Sequence, residues 1–197
     1  MKSICVFCGS NHGARPAYAT AARELGQVLA QRGLRLVYGG THVGLMGVLA
    51  SAALEAGGEV TGVITGALED RALAHPGLTD LRVVGSLAER KALMAELADG
   101  FIALPGGLGT LDEVFEVLVW AQFHMHRKPC GLLNVEGYYD PLVAFLDVAA
   151  RERFVKEEHR AMVLVEDSAA ALLDRFASYT APTVEKWIED RPFAFSP

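Results

Sequence analysis

Residues 99–119 read DGFIALPGGLGTLDEVFEVLV. Phe101 to Leu104 form an apolar run, which Pro105 ends. Gly106, Gly107 and Gly109 follow, then Thr110, then an amphipathic pattern that carries Glu113 in its first turn. The reading is a buried strand, a glycine turn and a helix N-terminus. Such a junction attracts anions, because backbone N–H groups lie bare where side chains are absent and the helix dipole adds positive potential. A phosphate-bearing substrate is the first expectation, and a carboxylate one turn away points to chemistry performed on it.

The same alternation runs outward in both directions. Residues 4–8, 34–38, 59–64, 81–84, 101–104, 129–134 and 163–166 read as strands. Residues 16–32, 44–56, 87–98, 111–123, 139–152 and 169–177 read as helices, and 65–79 as irregular or partly helical. Strand and helix in strict alternation predict right-handed crossovers, and so one α/β domain over residues 1–197. The expected architecture is Rossmann-like and doubly wound, a mostly parallel sheet with helices on both faces. Residues 178–197 form a Pro-punctuated tail with Trp187 and two phenylalanines, expected to dock on a surface.

Ligands of such sheets bind beyond the carboxyl ends of the strands. Three glycine-bearing turns fall there: Cys8-Gly9-Ser10, Tyr38-Gly39-Gly40-Thr41 and Pro105-Gly106-Gly107. They converge on one edge, so Gly9, Ser10, Gly39 and Gly40 join the expected site.

Composition narrows the ligand. A 51% hydrophobic content over 197 residues fits a buried sheet and a sizeable core. The net charge of −6 argues against nucleic acid and anionic membranes as partners, since both favour basic surfaces. No stretch approaches the ~20 apolar residues of a membrane span, and the N-terminal residues lack a secretory layout. Cytoplasm is the expected compartment, and three cysteines that cannot all pair agree with a reducing one.

Several signatures are missing. Gly39-Gly40-Thr41-His42-Val43-Gly44 departs from the dinucleotide fingerprint at Thr41, and no P-loop motif occurs. Cys5-Val6-Phe7-Cys8 lies along a strand, where positions three apart face opposite sides, so the pair reads as core and not as a redox couple. His124 and His126 lack the spacing and companions of a metal site. No metal and no cofactor are expected. Ser10 sits in a glycine turn without a nucleophile elbow around it.

Two segments admit a plain structural explanation. Thr110-Leu111-Asp112-Glu113 and Ser86-Leu87-Ala88-Glu89 both match a capping box, which would fold Glu113 back on Thr110. Arg90 and Lys91 then stand in a first turn, against the helix dipole. Either they form a solvated face, or Arg90 faces an anion or Glu113.

With these residues in view, the chain resembles the Lonely guy family of cytokinin-activating phosphoribohydrolases, proteins often labelled lysine decarboxylases. The resemblance spans about residues 2–165. It rests on Phe7-Cys8-Gly9-Ser10, Val37-Tyr38-Gly39-Gly40, Gly44-Leu45-Met46-Gly47, Glu89-Arg90-Lys91-Ala92-Leu93-Met94 and the stretch from Pro105 to Glu113. Trp120-Ala121-Gln122 and Gly131 to Tyr139 extend it, and no PLP-binding lysine motif supports the decarboxylase label.

The resemblance implies a homodimer that hydrolyses the N-glycosidic bond of adenosine 5′-monophosphates, N6-prenylated ones included. It implies Arg90 and Glu113 as the catalytic pair, and Gly106, Gly107, Gly109 and Thr110 as phosphate ligands. Lys91 and Asp112 would line the substrate, and Arg90 would lower the pKa of Glu113 by opposite charge. The chain departs from the family pattern at Thr41, Ala72, Ser86, Leu87, Ala88 and Val119. The same glycine loops also resemble molybdenum-cofactor carriers, which hold a phosphate-bearing pterin without turning it over.

Overall fold

The computed structural model describes residues 1–71 and 73–187. Seven strands form one sheet: β1 (Ser3–Phe7), β2 (Arg35–Tyr38), β3 (Val60–Thr65), β4 (Asp80–Val84), β5 (Gly100–Ala103), β6 (Cys130–Leu133) and β7 (Val163–Glu166). Their order is β4-β3-β2-β1-β5-β6-β7, and every pair is parallel. The direction of winding reverses between β1 and β5. That reversal opens a crevice at the carboxyl ends of those two strands.

Among the described residues eight α-helices flank the sheet: α1 (Pro16–Gln31), α2 (Gly44–Glu55), α3 (Gly66–Glu69), α4 (Leu87–Leu97), α5 (Leu108–Gln122), α6 (Asp140–Arg151), α7 (Glu157–Arg160) and α8 (Ala169–Ala177). Pro16 opens α1 at a position that needs no N–H, and Ser86 and Ser168 cap α4 and α8 by accepting from Glu89 N and Ala171 N. Gly26 lets α1 lie against α2, since a Cβ there would stand 2.5 Å from the Leu49 carbonyl oxygen.

Both faces of the central strands are buried, so side chains divide by the period of two. Ile4, Val6 and Cys8 enter the core under α1, α2 and α8, while Cys5 and Phe7 enter the one under α4 and α5. The two cysteines of the C-x-x-C spacing therefore sit in different halves of the core, both as free thiols. Burial pushes the Cys5 thiol well up and that of Cys130 up to about 12, which leaves both unreactive.

Two differences from the sequence reading have local causes. Helix α5 starts at Leu108, one turn before the expected position 111, because Gly107 serves as its N-cap. The single-turn α7 was not expected, and its four residues are too few to show a period. In the tail, Val184 lies 3.2 Å from His159 through its carbonyl, and Trp187 meets Phe123 edge-on. Phe193 and Phe195 lie outside the described residues.

Candidate active site

The crevice is built by main chain first. Gly9 N–H donates to the Pro105 carbonyl at 3.1 Å, joining the turns after β1 and β5. Leu45 N–H donates to the Gly9 carbonyl at 3.0 Å, which adds the start of α2. At Gly106 a Cβ would stand 2.1 Å from Thr110 Oγ1 and 3.0 Å from Gly9 N, so only glycine lets the turn fold onto the helix. At Gly107 and Gly109 the same Cβ would meet nothing within 4 Å, because both face open space.

Helix α5 thus begins without a side-chain cap and without an acidic residue in its first turn. The capping-box reading of residues 110–113 is overturned. Thr110 is buried inside the first turn under Gly106, and Glu113 points to Arg90 instead of back to the chain. The first-turn N–H groups are left for a ligand.

Arg90 is buried, and its guanidinium reaches three acceptors. Nε donates to the Val63 carbonyl at 2.9 Å, Nη2 to the Gly39 carbonyl at 3.1 Å, and Nη1 to Glu113 Oε1 at 3.1 Å. Those carbonyls, of Val63 within β3 and Gly39 just past β2, offset the unfavourable helix dipole of α4 together with the Glu113 carboxylate. The solvated-face reading of Arg90 is therefore overturned, and its side chain faces Glu113. Gly39 is what makes room: a Cβ there would fall 1.9 Å from Nη2.

The Glu113 carboxyl is pushed above its ordinary value, mainly by burial, and the Arg90 charge opposes that shift without cancelling it. The expected lowering by Arg90 is corrected on this point, because desolvation outweighs the ion pair. Lys91 donates to Asp112 at 2.9 Å and stands 3.0 Å from Glu116, so it clamps α4 to α5.

A cavity of about 660 Å³ occupies the crevice, within the range of small-molecule sites. It gathers Gly9, Ser10, Arg90, Gly106, Gly107, Gly109, Thr110 and Glu113 from the expected set. Gly39, Gly40, Lys91 and Asp112 do not line it: the glycines lie behind Arg90 and against Ile64, and the ion pair lies outside. Thr41 lines the cavity, Ser86 caps α4, Ala88 and Val119 are exposed away from it, and Ala72 lies outside the described residues.

Sequence reasoning missed several lining residues. Asn11 and His12 follow directly from the turn after β1 and could have been inferred from it. Tyr138 lines the mouth, donates to the Gly106 carbonyl at 2.5 Å and meets the Tyr18 ring edge-on at 5.6 Å. Met46, Leu68 and Leu73 form an apolar wall, and nothing in the local pattern of residues 65–79 signals it. Among the described residues no group of three His, Cys, Asp or Glu could hold a metal ion, and no helix is long and apolar enough to cross a membrane.

Comparison with known proteins places this geometry. The family model described as "Possible lysine decarboxylase" matches residues 46–176. The chain is 44% identical over 199 residues to a cytokinin riboside 5′-monophosphate phosphoribohydrolase of rice, Oryza sativa subsp. japonica, covering all of this chain and 82% of that one. It is 51% identical over 165 residues to the enzyme of the same name from Rhodococcoides fascians, covering 83% of each. Among solved structures, a molybdenum cofactor binding protein from Rippkaea orientalis superposes with a TM-score of 0.67 at 26% identity, over 90% of this chain and 97% of that one.

Proposed function

The chain belongs to the family of cytokinin riboside 5′-monophosphate phosphoribohydrolases, and from that premise we propose that it cleaves the N-glycosidic bond of adenosine 5′-monophosphates, N6-modified ones included. The products are the free base and ribose 5-phosphate. The observation that carries this reading is the Arg90–Glu113 pair facing one cavity with the uncapped start of α5.

The phosphate seats on the first-turn N–H groups of α5, where Gly107 and Gly109 leave the backbone bare. Ser10 and Thr110 flank it. The ribose then lies over Glu113, and the base extends toward Met46, Leu68 and Leu73. As the bond from C1′ to the base nitrogen lengthens, positive charge grows on the ribose, and the Glu113 carboxylate stabilises it. Water adds its hydroxyl to C1′, and its proton leaves on the base. The raised pKa of Glu113 suits it to take that proton on the way. Arg90 fixes the carboxylate through a charge-assisted bond and is itself held by two carbonyls.

The same membership implies a homodimer, and three free, buried cysteines fit the cytoplasm. Light scattering at twice the 21.1 kDa chain mass checks the first.

Chromatographic assay of AMP, N6-isopentenyl-AMP and the two unphosphorylated ribosides tests the activity. Base released only from the monophosphates supports the phosphoribohydrolase. Phosphate ligands that bind while no base is released from any of the four would move the assignment to a carrier.

A further inference from the structure

The described residues between β3 and β4 hold one helical turn, α3, and otherwise no helix or strand. It folds back across the turn between β2 and α2. His42 N–H donates to the Leu73 carbonyl at 3.0 Å, His75 N–H to the Gly40 carbonyl at 2.9 Å, and Thr41 and Ala74 form an isolated antiparallel bridge. Two imidazoles complete the attachment. His42 Nδ1 stands 3.0 Å from the Leu73 carbonyl oxygen, and His75 Nε2 stands 3.0 Å from Ser51 Oγ on α2.

The partners decide the tautomers. A carbonyl only accepts, so His42 carries its proton on Nδ1. Gly77 N–H donates to His75 Nδ1 at 3.2 Å, so that nitrogen is bare and Nε2–H donates to Ser51. This polarity is opposite to that of a serine nucleophile with its base, and no hydrolytic dyad results. What the two rings hold in place is Leu68 and Leu73 on the cavity wall.

We propose that His42 and His75 are positioning residues, whose imidazoles pin residues 66–71 and 73–79 over the β2–α2 turn and so set the apolar wall against the base of the nucleotide. The role of that wall rests on the nucleotide reading of the site. Neither ring touches the reacting atoms. Protonating His75 would turn its Nδ1 into a donor facing the Gly77 donor. The titratable group that acts on His75 is His42 from the β2–α2 turn, with Ser51 the partner on α2 and Gly77 the one on its own segment. Burial and His42 both hold the His75 pKa below its ordinary value, which keeps the His75 ring neutral at physiological pH.

The test pairs hydrogen exchange with kinetics on the full chain. In His75→Ala the amides of His42 and His75 lose protection, and KM for AMP rises about three- to tenfold while kcat stays within about twofold. His75→Gln, whose amide can still donate to Ser51, restores most of both. Between pH 8 and 5 the wild type gains a KM increase that His75→Gln lacks; ionisation of the substrate phosphate is common to both and cancels. Unchanged exchange in His75→Ala overturns the pin, and lost protection with an unchanged KM overturns its role at the wall. Should the wild type release no base, the nucleotide hydrolase reading has failed separately. Calorimetric affinity for AMP then replaces KM and decides the proposal by the same two outcomes.

Discussion

At the scale of single residues, the site depends on one carboxylate held where its charge is costly. Burial raises the Glu113 pKa despite Arg90, so the ionised group lowers stability, a cost that the proposed reaction would account for. Glu113→Gln keeps the shape and an acceptor for Arg90 but cannot carry charge. The expected outcome is a loss of about 10²–10³ in kcat by steady-state assay, comparable to removal of one electrostatic stabiliser, with a melting temperature no lower than wild type. Full turnover in that variant would remove Glu113 from the chemistry. Gly39 tests the other half of the pair. Its Cβ would sit 1.9 Å from Arg90 Nη2, so Gly39→Ala must displace the guanidinium from both the Gly39 carbonyl and Glu113. About a hundredfold loss in kcat/KM is expected from a shift of that size, although residue 39 does not line the cavity. Wild-type kinetics for Gly39→Ala would mean that the position of Arg90 is immaterial.

At the scale of elements, the strand, glycine turn and helix of β5 and α5 do most of the work, and its three glycines separate by role. A Cβ at 106 would meet Thr110 Cβ at 2.6 Å and push the helix start away from Gly9, so Gly106→Ala should cost about 1–3 kcal/mol of stability as well as phosphate affinity. A Cβ at 107 meets nothing, so Gly107→Ala should lose only the preference for glycine over alanine at an N-cap, less than Gly106→Ala loses, and raise KM for the monophosphate alone. Denaturant unfolding beside KM for AMP separates the two cases, and equal melting of both variants would refute the packing role of Gly106. This junction was legible in the sequence because proline and glycine punctuate an apolar run. Its helix start was misjudged, since Thr110 mimics a cap that Gly107 supplies. The pairing of Arg90 with Glu113 spans 23 residues and two elements, so local pattern left it as one of two readings and only the family resemblance singled it out. The wall at Leu68 and Leu73 was illegible because it lies in a segment without period, fixed by long-range contacts from His42 and His75.

For the whole molecule, the neutral histidines set a limit on stability in acid. Burial lowers the pKa of His75, His126 and His159 below 6.5, so near and below that pH the unfolded chain binds more protons than the folded one. Stability from these groups is complete above pH 6.5 and is lost as the pH falls through their folded values. Glu113 acts with the opposite sign, since its raised pKa makes the folded state the better proton acceptor above 4.5, but one carboxyl stands against three imidazoles. His159 is the most instructive of the three, being only 3% exposed. Its Nε2–H donates to the Val184 carbonyl and fastens the tail, while Nδ1 has no partner among the described residues. A proton added at Nδ1 would bury an unpaired donor and a charge. Thermal melts between pH 8 and 5 should therefore show a falling midpoint below about pH 6.5, the ordinary histidine value. His159→Gln should melt lower than wild type at pH 7.5 and show a shallower fall, because it lacks the group that titrates. A midpoint that stays level to pH 5 in the wild type, or the same slope in His159→Gln, would mean that protonation of this clasp does not limit the fold.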